Sequence, residues 1–269
     1  RLRADLKAQT PQNVYLFYGE ETYLRSYYLE ELHRLLIPAG FEEFNYHRLS
    51  GKGLTVQELA EVTEAMPMMA QHTMVVVTDL DIFRLDEHQR TALMALLADF
   101  YYNHPSAKLG VVGITGTKGK SSTAYYLKYI FDEYLAAKGQ PASGVISSIE
   151  TYDGVEKFES HLTTPEPLDL ERHFANGVAT GMRYLTMEVS SQALKYHRTL
   201  CTHFAAACFL NIGYDHVSPV EHPDFEDYFA SKLKIFAQAG VNCVNLDSDH
   251  AGRILEAARQ AGKPVFTFS

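Results

Sequence analysis

The sequence predicts an α/β protein of two consecutive units with mainly parallel sheets flanked by helices, and three observations carry that reading. Segments of strand character alternate with segments of helical character, twice over, along the 269 residues. The later strands are continuous apolar runs such as Leu109-Gly110-Val111-Val112-Gly113-Ile114, the pattern of strands buried on both faces. A glycine-rich turn, Gly116-Thr117-Lys118-Gly119, joins that strand directly to a helix.

The elements follow in order. Val14-Tyr15-Leu16-Phe17-Tyr18 reads as a short strand, turned by Gly19-Glu20-Glu21-Thr22 into a helix over about 23–36 that ends before Pro38-Ala39-Gly40. Phe44-Asn45-Tyr46-His47-Arg48-Leu49 alternates like a half-buried strand and is broken at Gly51-Lys52-Gly53. Thr55 opens a helix with Glu58 as capping-box partner, stopping near Pro67. A strand at Met74-Val75-Val76-Val77-Thr78 and a helix from Asp86 complete a β-α-β-α-β-α series. The second series starts at Leu109, continues in a helix over about 120–137, and has further strands at Val145-Ile146-Ser147, Tyr184–Glu188, Ala205–Leu210 and Cys243–Leu246. The junction near Phe100 has no Gly, Ser or Pro linker, so the expected domains are 1–100 and 101–269.

Hydrophobic residues at 46% and charged residues at 21% are ordinary globular usage, which excludes disorder, collagen and coiled coil for the whole chain. No run approaches the roughly 18 apolar residues of a membrane span, and Arg1-Leu2-Arg3-Ala4-Asp5 lacks a signal-peptide core. No membrane partner and a cytoplasmic location are therefore expected. The net charge is −9, and neither half carries the basic footprint of a direct nucleic-acid binder. Cys201, Cys208 and Cys243 form no CxxC pair, so they read as buried reduced thiols. The first residue is not Met and the last strand-like run stops at the chain end, so both ends read as cut.

A strand before and a helix after turn Gly116-Thr117-Lys118-Gly119-Lys120-Ser121-Ser122 into a candidate phosphate cradle. Backbone N–H groups converge on the anion, Lys120 supplies a point charge for the terminal phosphates, and the Ser121 hydroxyl suits Mg²⁺. The spacing departs from the general Walker pattern: Ile114 stands where its first glycine would fall, with Gly113 and Gly116 on either side. The plainer reading is a glycine turn beside a surface lysine.

The run Gly113–Thr123 closely resembles the ATP loop of the Mur ligases, and four further blocks match that family in order. These are Thr163-Thr164-Pro165-Glu166-Pro167, Met187–Leu194, Leu210–His216 and Tyr228–Phe236. The resemblance covers about 101–269 and is closest to the UDP-N-acetylmuramyl-tripeptide synthetase type. It implies an ADP-forming amide ligase in peptidoglycan synthesis, acting on a UDP-muramoyl-peptide and an amino acid through an acyl phosphate. It also implies ATP and Mg²⁺, with Lys120 on the phosphates, Gly116–Ser122 around the nucleotide, and Ser121, Glu188 and His216 as metal ligands. Lys232 matches the family lysine that CO₂ converts to a carbamate, an anionic oxygen ligand; taken alone it reads as a solvated helix lysine. Thr163, Thr164, Ser190 and Arg198 fall where the family grips the muramoyl-peptide. Gln192 stands where the family usually has His, Asp215-His216 also reads as a satisfied core pair, and His222 reads as structural. The family's N-terminal UDP-binding domain, C-terminal domain and adenine-facing asparagine have no counterpart here, which implies a chain inactive by itself.

Residues 13–99 resemble the N-terminal domain of the DNA polymerase III delta subunit through Tyr15–Glu21, Phe44-Asn45-Tyr46, Ala65–Ala70 and Met74–Val77. The Gly19 turn lacks Gly-Lys-Ser/Thr, in keeping with a family that has no working ATP loop in this subunit. That resemblance implies a sliding-clamp partner engaged by Met68 and Met69, which otherwise read as core methionines at a helix end. Together the two resemblances imply a chimeric, truncated chain joined near Phe100.

Overall fold

The computed structural model describes residues 1–215, 217–218 and 221–269, which divide into two compact units, Arg1–Tyr101 and Tyr102–Ser269. The first contains α1 (Leu2–Ala8), α2 (Thr22–Leu36), α3 (Glu42–Asn45), β1 (Tyr46–Ser50), α4 (Val56–Thr63), β2 (Met74–Thr78) and α5 (Glu87–Tyr101). β1 and β2 pair in parallel from Tyr46 opposite Met74 to Ser50 opposite Thr78. Leu32, Ile37, Met74 and Val76 form the core between α2 and the sheet. The capping box forms as its spacing requires: the Thr55 hydroxyl accepts from the Glu58 N–H at 3.2 Å, and Glu58 accepts from the Thr55 N–H at 2.8 Å.

Two strand expectations fail here. Val14–Tyr18 has the alternation of a strand, with Tyr15 and Phe17 packed on the core and Leu16 and Tyr18 exposed, yet it joins no ladder among the described residues. A strand needs a neighbour's backbone as well as a pattern; instead the Tyr15 hydroxyl anchors the segment, donating to Asp5 at 3.0 Å and accepting from the Gln12 N–H at 2.8 Å. Phe44-Asn45 ends a helix rather than starting a strand, because the fully buried Asn45 side chain is committed elsewhere. Its amide donates to the Phe41 and Met68 carbonyls at 2.9 and 2.8 Å and accepts from the Met68 N–H at 2.7 Å.

The second unit holds β3 (Gly110–Thr115), α6 (Lys120–Ala136), β4 (Gly144–Ile146), β5 (Glu150–Tyr152), β6 (Lys157–Glu159), α7 (Pro167–Ala179), β7 (Tyr184–Glu188), α8 (Ser191–Lys195), β8 (Ala206–Phe209), α9 (Phe225–Leu233), β9 (Asn242–Asn245), α10 (Ala251–Gln260) and β10 (Val265–Phe268). Its eight-stranded sheet runs β10-β9-β8-β3-β7-β4-β5-β6. The strands from β10 to β4 are parallel, and β5 and β6 add antiparallel. Register decides function: Ile114 lies opposite Glu188, so the turn after β3 and the end of β7 are neighbours at the carboxyl edge, where open α/β sheets bind ligands. Phe174, Leu185, Phe204 and Phe209 are fully buried in the core beneath that edge. No helix among the described residues is long and apolar enough to cross a membrane.

The β5–β6 hairpin turns at Asp153, whose carboxylate is fully buried. One oxygen accepts from the Val155 and Glu156 N–H groups; the other meets His173 Nδ1 at 2.6 Å and the Asn176 amide at 2.8 Å. Burial alone would push the carboxyl up, but those hydrogen bonds outweigh it and hold it below the usual range. Asp153, Glu156 and His173 bring ligand-type atoms within 4.8 Å of one another, but the Arg172 guanidinium already sits on Glu156 at 2.5 Å. This is a structural network. Asp153→Ala is expected to cost about 3 kcal/mol at pH 7, because buried donors lose their acceptor. The deficit should shrink as pH falls through the depressed carboxyl pKa, where the native protein loses the same stabilisation; denaturant unfolding at pH 7 and pH 3 checks it.

Candidate functional site

β3 delivers the chain into the turn, and two glycines let it close. Gly116 has φ +154°, and a side chain there would meet the Leu210 Cβ at 3.1 Å and the Asn211 N at 3.3 Å. Gly119, φ +82°, is the N-cap of α6. Gly113 serves a different purpose from a loop glycine: it lies within β3, and a Cβ there would sit 2.8 Å from the Phe204 ring.

Asn211, at the end of β8, clamps the loop. Its side-chain oxygen accepts from the Thr117 and Lys118 N–H groups at 3.1 and 2.9 Å, and its amide donates to the Lys118 carbonyl at 3.0 Å. The Thr117 hydroxyl meets the Tyr228 hydroxyl at 2.9 Å and accepts from the Gly213 N–H at 3.0 Å. Neither Asn211 nor Tyr228 carries a role in the sequence reading, although both lie inside the matching blocks. Asn211 follows an apolar strand, and that position was the available signal.

Two lysines converge on one carbonyl. Lys120 Nζ donates to Gly116 O at 3.0 Å and Thr117 O at 3.2 Å, while Lys232 Nζ donates to Gly116 O at 3.0 Å and lies 4.8 Å from the Tyr228 ring centroid. Lys232 is 1% exposed, so the solvated-helix reading is wrong. Burial first, and then the neighbouring Lys120 charge, pushes its amine down to about 7, with Asp215 opposing. Burial also lowers Lys120, against the Glu188 and Asp215 charges. Lys118 and Ser122 are exposed.

A carboxylate stands beside the loop. Glu188 is 2% exposed at the end of β7, and its Oε1 accepts from the Ser148 N–H at 2.9 Å and the Ser148 hydroxyl at 3.2 Å. The Ser121 hydroxyl meets Ser148 Oγ at 3.3 Å. Ser121 and Glu188 thus reach one another through Ser148, a residue absent from the sequence-predicted set. His216 lies outside the described residues.

The Thr163-Thr164 turn docks on the same strand end. The Thr164 hydroxyl donates to the Glu188 carbonyl at 2.9 Å and accepts from the Ser190 N–H at 3.1 Å; Thr163 beside it is half-buried. Arg198 reaches the Thr164 carbonyl at 3.4 Å and pairs with Glu166 at 2.8 Å. The Ser190 hydroxyl caps α8, accepting from the Ala193 N–H at 3.1 Å.

His222 ties the Glu188 block to the Lys232 helix. Fully buried, it places Nδ1 2.6 Å from Asp227 Oδ2 and Nε2 2.9 Å from Ser191 Oγ; Lys195 Nζ completes the cluster at 2.8 Å from Asp227. Burial pushes the imidazole down, so it is neutral: Nδ1–H donates to Asp227 and Nε2 accepts the Ser191 hydroxyl. In the first unit, Met68 and Met69 are 53% and 77% exposed, which overturns the core-methionine reading. Asn45 pins the Met68 backbone, and Met69 takes a left-handed φ of +53°.

Comparison with known proteins fits this geometry. The chain is 42% identical over 175 residues to a UDP-N-acetylmuramoyl-L-alanyl-D-glutamate–L-lysine ligase of Enterococcus faecalis, covering 65% of this chain and 34% of that protein. It is 42% identical over 176 residues to a UDP-N-acetylmuramyl-tripeptide synthetase of Bifidobacterium longum, with the same coverages, 65% and 34%. The chain thus spans about a third of the length of these curated relatives. A solved UDP-N-acetylmuramoyl-L-alanyl-D-glutamate–2,6-diaminopimelate ligase shares the fold, with TM-score 0.54 and 19% identity over 88% of this chain and 51% of that one. The family model for the DNA polymerase III delta subunit matches residues 15–115. The Mur ligase middle domain model matches residues 114–269, more than half of the chain, so this chain belongs to the Mur ligase middle domain family.

Proposed function

We propose that residues 102–269 are the nucleotide-binding and phosphoryl-transfer core of an ADP-forming ligase that adds an amino acid to a UDP-muramoyl-dipeptide. The observation that carries this reading is the convergence of Lys120, Lys232 and Glu188 at one sheet edge beside a glycine loop clamped by Asn211. Lys120 would leave the Gly116 and Thr117 carbonyls for the terminal phosphates of ATP, and the loop N–H groups not held by Asn211 would face the rest. The chemistry is transfer of the γ-phosphoryl group to the substrate carboxylate, then attack of the incoming amine on the acyl phosphate with loss of phosphate. Thr163, Thr164, Ser190 and Arg198 are assigned to hold the muramoyl-peptide near Glu188.

The donors fit Mg²⁺: the Ser121 hydroxyl and the buried Glu188 carboxylate are hard oxygen ligands meeting at Ser148, and His216 is the family's further ligand. When bound, the ion would neutralise phosphate charge. Lys232 fits a carbamate because its lowered pKa leaves free amine, the only form that reacts with CO₂. The test is phosphate release dependent on both UDP-muramoyl-dipeptide and an amino acid, in this segment restored to the length of its relatives. Release that ignores either substrate counts against the reading. By itself this chain is proposed to bind ATP weakly and to turn over no muramoyl substrate.

A second reading attaches to the first unit, where the exposed pair Met68 and Met69 stands on a pinned turn. Together with the delta-subunit match, this supports a sliding-clamp binder joined near Phe100 to the ligase core. The double variant Met68→Ala with Met69→Ala is expected to weaken clamp binding at least about tenfold, since two apolar anchors supply about 1.5–3 kcal/mol each when fully buried. Surface plasmon resonance with a bacterial clamp checks it; equal binding by variant and parent refutes it.

A further inference from the structure

The parallel register of β8 and β9 sets Cys208 directly opposite Cys243. In-register partners on adjacent strands project from the same face, so the two thiols stand side by side. Both are half-buried and reduced. The next residue in that row, Phe266 on β10, is 63% exposed, so the face is open to solvent next to the pair. Adjacent strands run about 4.7–4.9 Å apart. That spacing lies at the short end of the roughly 4.4–6.8 Å between Cα atoms that a disulfide spans. A bridge here needs little backbone movement, and a bridge that is partly exposed is among the readily reduced ones.

The two sulfurs are not equivalent. The neighbouring Cys208 lowers the Cys243 thiol to about 7, while Cys243 and burial push the Cys208 thiol up. Cys243 is therefore the sulfur with thiolate character near neutral pH.

We propose that Cys208 and Cys243 form a redox dithiol that a hydroperoxide converts reversibly into a cross-strand disulfide. The Cys243 thiolate attacks a peroxide oxygen; the O–O bond breaks, hydroxide leaves and is protonated to water, and a sulfenic acid remains. The Cys208 sulfur then attacks that sulfenyl sulfur, the S–O bond breaks, and a second water leaves with the Cys208 proton. Two thiols lose two electrons and two protons, and one H₂O₂ becomes two waters. The bridge joins the strands just before Leu210 and Asn245, which are themselves linked by the Asn245 amide on the Leu210 carbonyl at 2.9 Å. It therefore ties down the strand that ends in the loop clamp Asn211. The inference rests on strand register and thiol chemistry, independent of the ligase reading.

The test treats the folded chain with H₂O₂ at neutral pH, blocks remaining thiols, and maps the peptides by mass spectrometry with Cys201 as internal comparison. The expected product links the Cys208 and Cys243 peptides within one chain, weighs about 2 Da less than the reduced protein, and reverts with dithiothreitol. Cys243→Ser should slow thiol loss at least about tenfold, whereas Cys208→Ser should leave a sulfenic acid on Cys243 that dimedone traps. The unsubstituted chain carries the primary readout, so a variant that fails to fold does not blunt the test. Alkylatable Cys208 and Cys243 after peroxide treatment, a bridge to Cys201 instead, or a link only between chains would each overturn the proposal.

Discussion

Lys232→Met is expected to abolish ligation in a version extended to the length of its relatives and, at the same time, to make the present chain more stable at pH 6–7. The two effects share one cause, a lysine buried in the core of the site. Lys232 is 1% exposed beneath the loop, and its amine is pushed down to about 7. An unfolded lysine titrates near 10.4. Between those values the unfolded chain binds more protons than the native one, so native stability rises as pH climbs from about 7 towards 10. At pH 6–7 the buried charge is a net cost. Methionine keeps the volume and removes the ionisation, and Lys120 still serves the Gly116 carbonyl. A gain of roughly 2 kcal/mol is expected, about 5 °C in Tm, with a flatter pH profile. Under the proposed carbamate role, ligation is lost because methionine cannot form a carbamate. Lys232→Ala should likewise be inactive, with partial rescue by a small carboxylate supplying the missing oxygens. Thermal unfolding across pH 6–10 and turnover at low bicarbonate check both halves. A variant that turns over normally at low bicarbonate, or one destabilised at every pH, removes the basis of the carbamate assignment.

Lys120→Ala is expected to reduce affinity for ADP with Mg²⁺ by about 10–100-fold, the size of one charge-assisted hydrogen bond in a partly desolvated site. Lys138→Ala is the comparison, because Lys138 is exposed and lies past the far end of α6 from the loop, so it should matter little. Lys120→Ala has a second, separable consequence. The Lys120 charge is the second cause of the depressed Lys232 amine, so its removal should raise that pKa and flatten the dependence of stability on pH above 7. Calorimetric titration with ADP reads the first effect and the pH profile of unfolding reads the second. Equal ADP affinity in the variant and the parent would exclude Lys120 from the phosphate site.

Short-range chemistry was legible in the sequence by itself. β2 and β7 begin and end where their apolar runs do, Thr55 and Glu58 close their capping box, and the glycine turn lies between β3 and α6. Each of these depends on residues a few positions apart, whose preferences act within one turn or strand. The ordered blocks around Gly116, Thr163, Glu188, Leu210 and Lys232 also supplied residues that lie together at the candidate site. What they do to one another was decided by the tertiary structure. Lys232 donates to a carbonyl 116 residues away, and Asn211 grips a loop 93 residues before it; no local pattern encodes those meetings. Val14–Tyr18 shows the converse, a strand pattern without a partner strand, since alternation reports burial while a ladder requires a neighbouring backbone. Sheet order β8-β3-β7 placed the Asn211 clamp, the loop and Glu188 side by side, and burial under that edge converted Lys232 from an ordinary cation into an amine that is partly free at neutral pH.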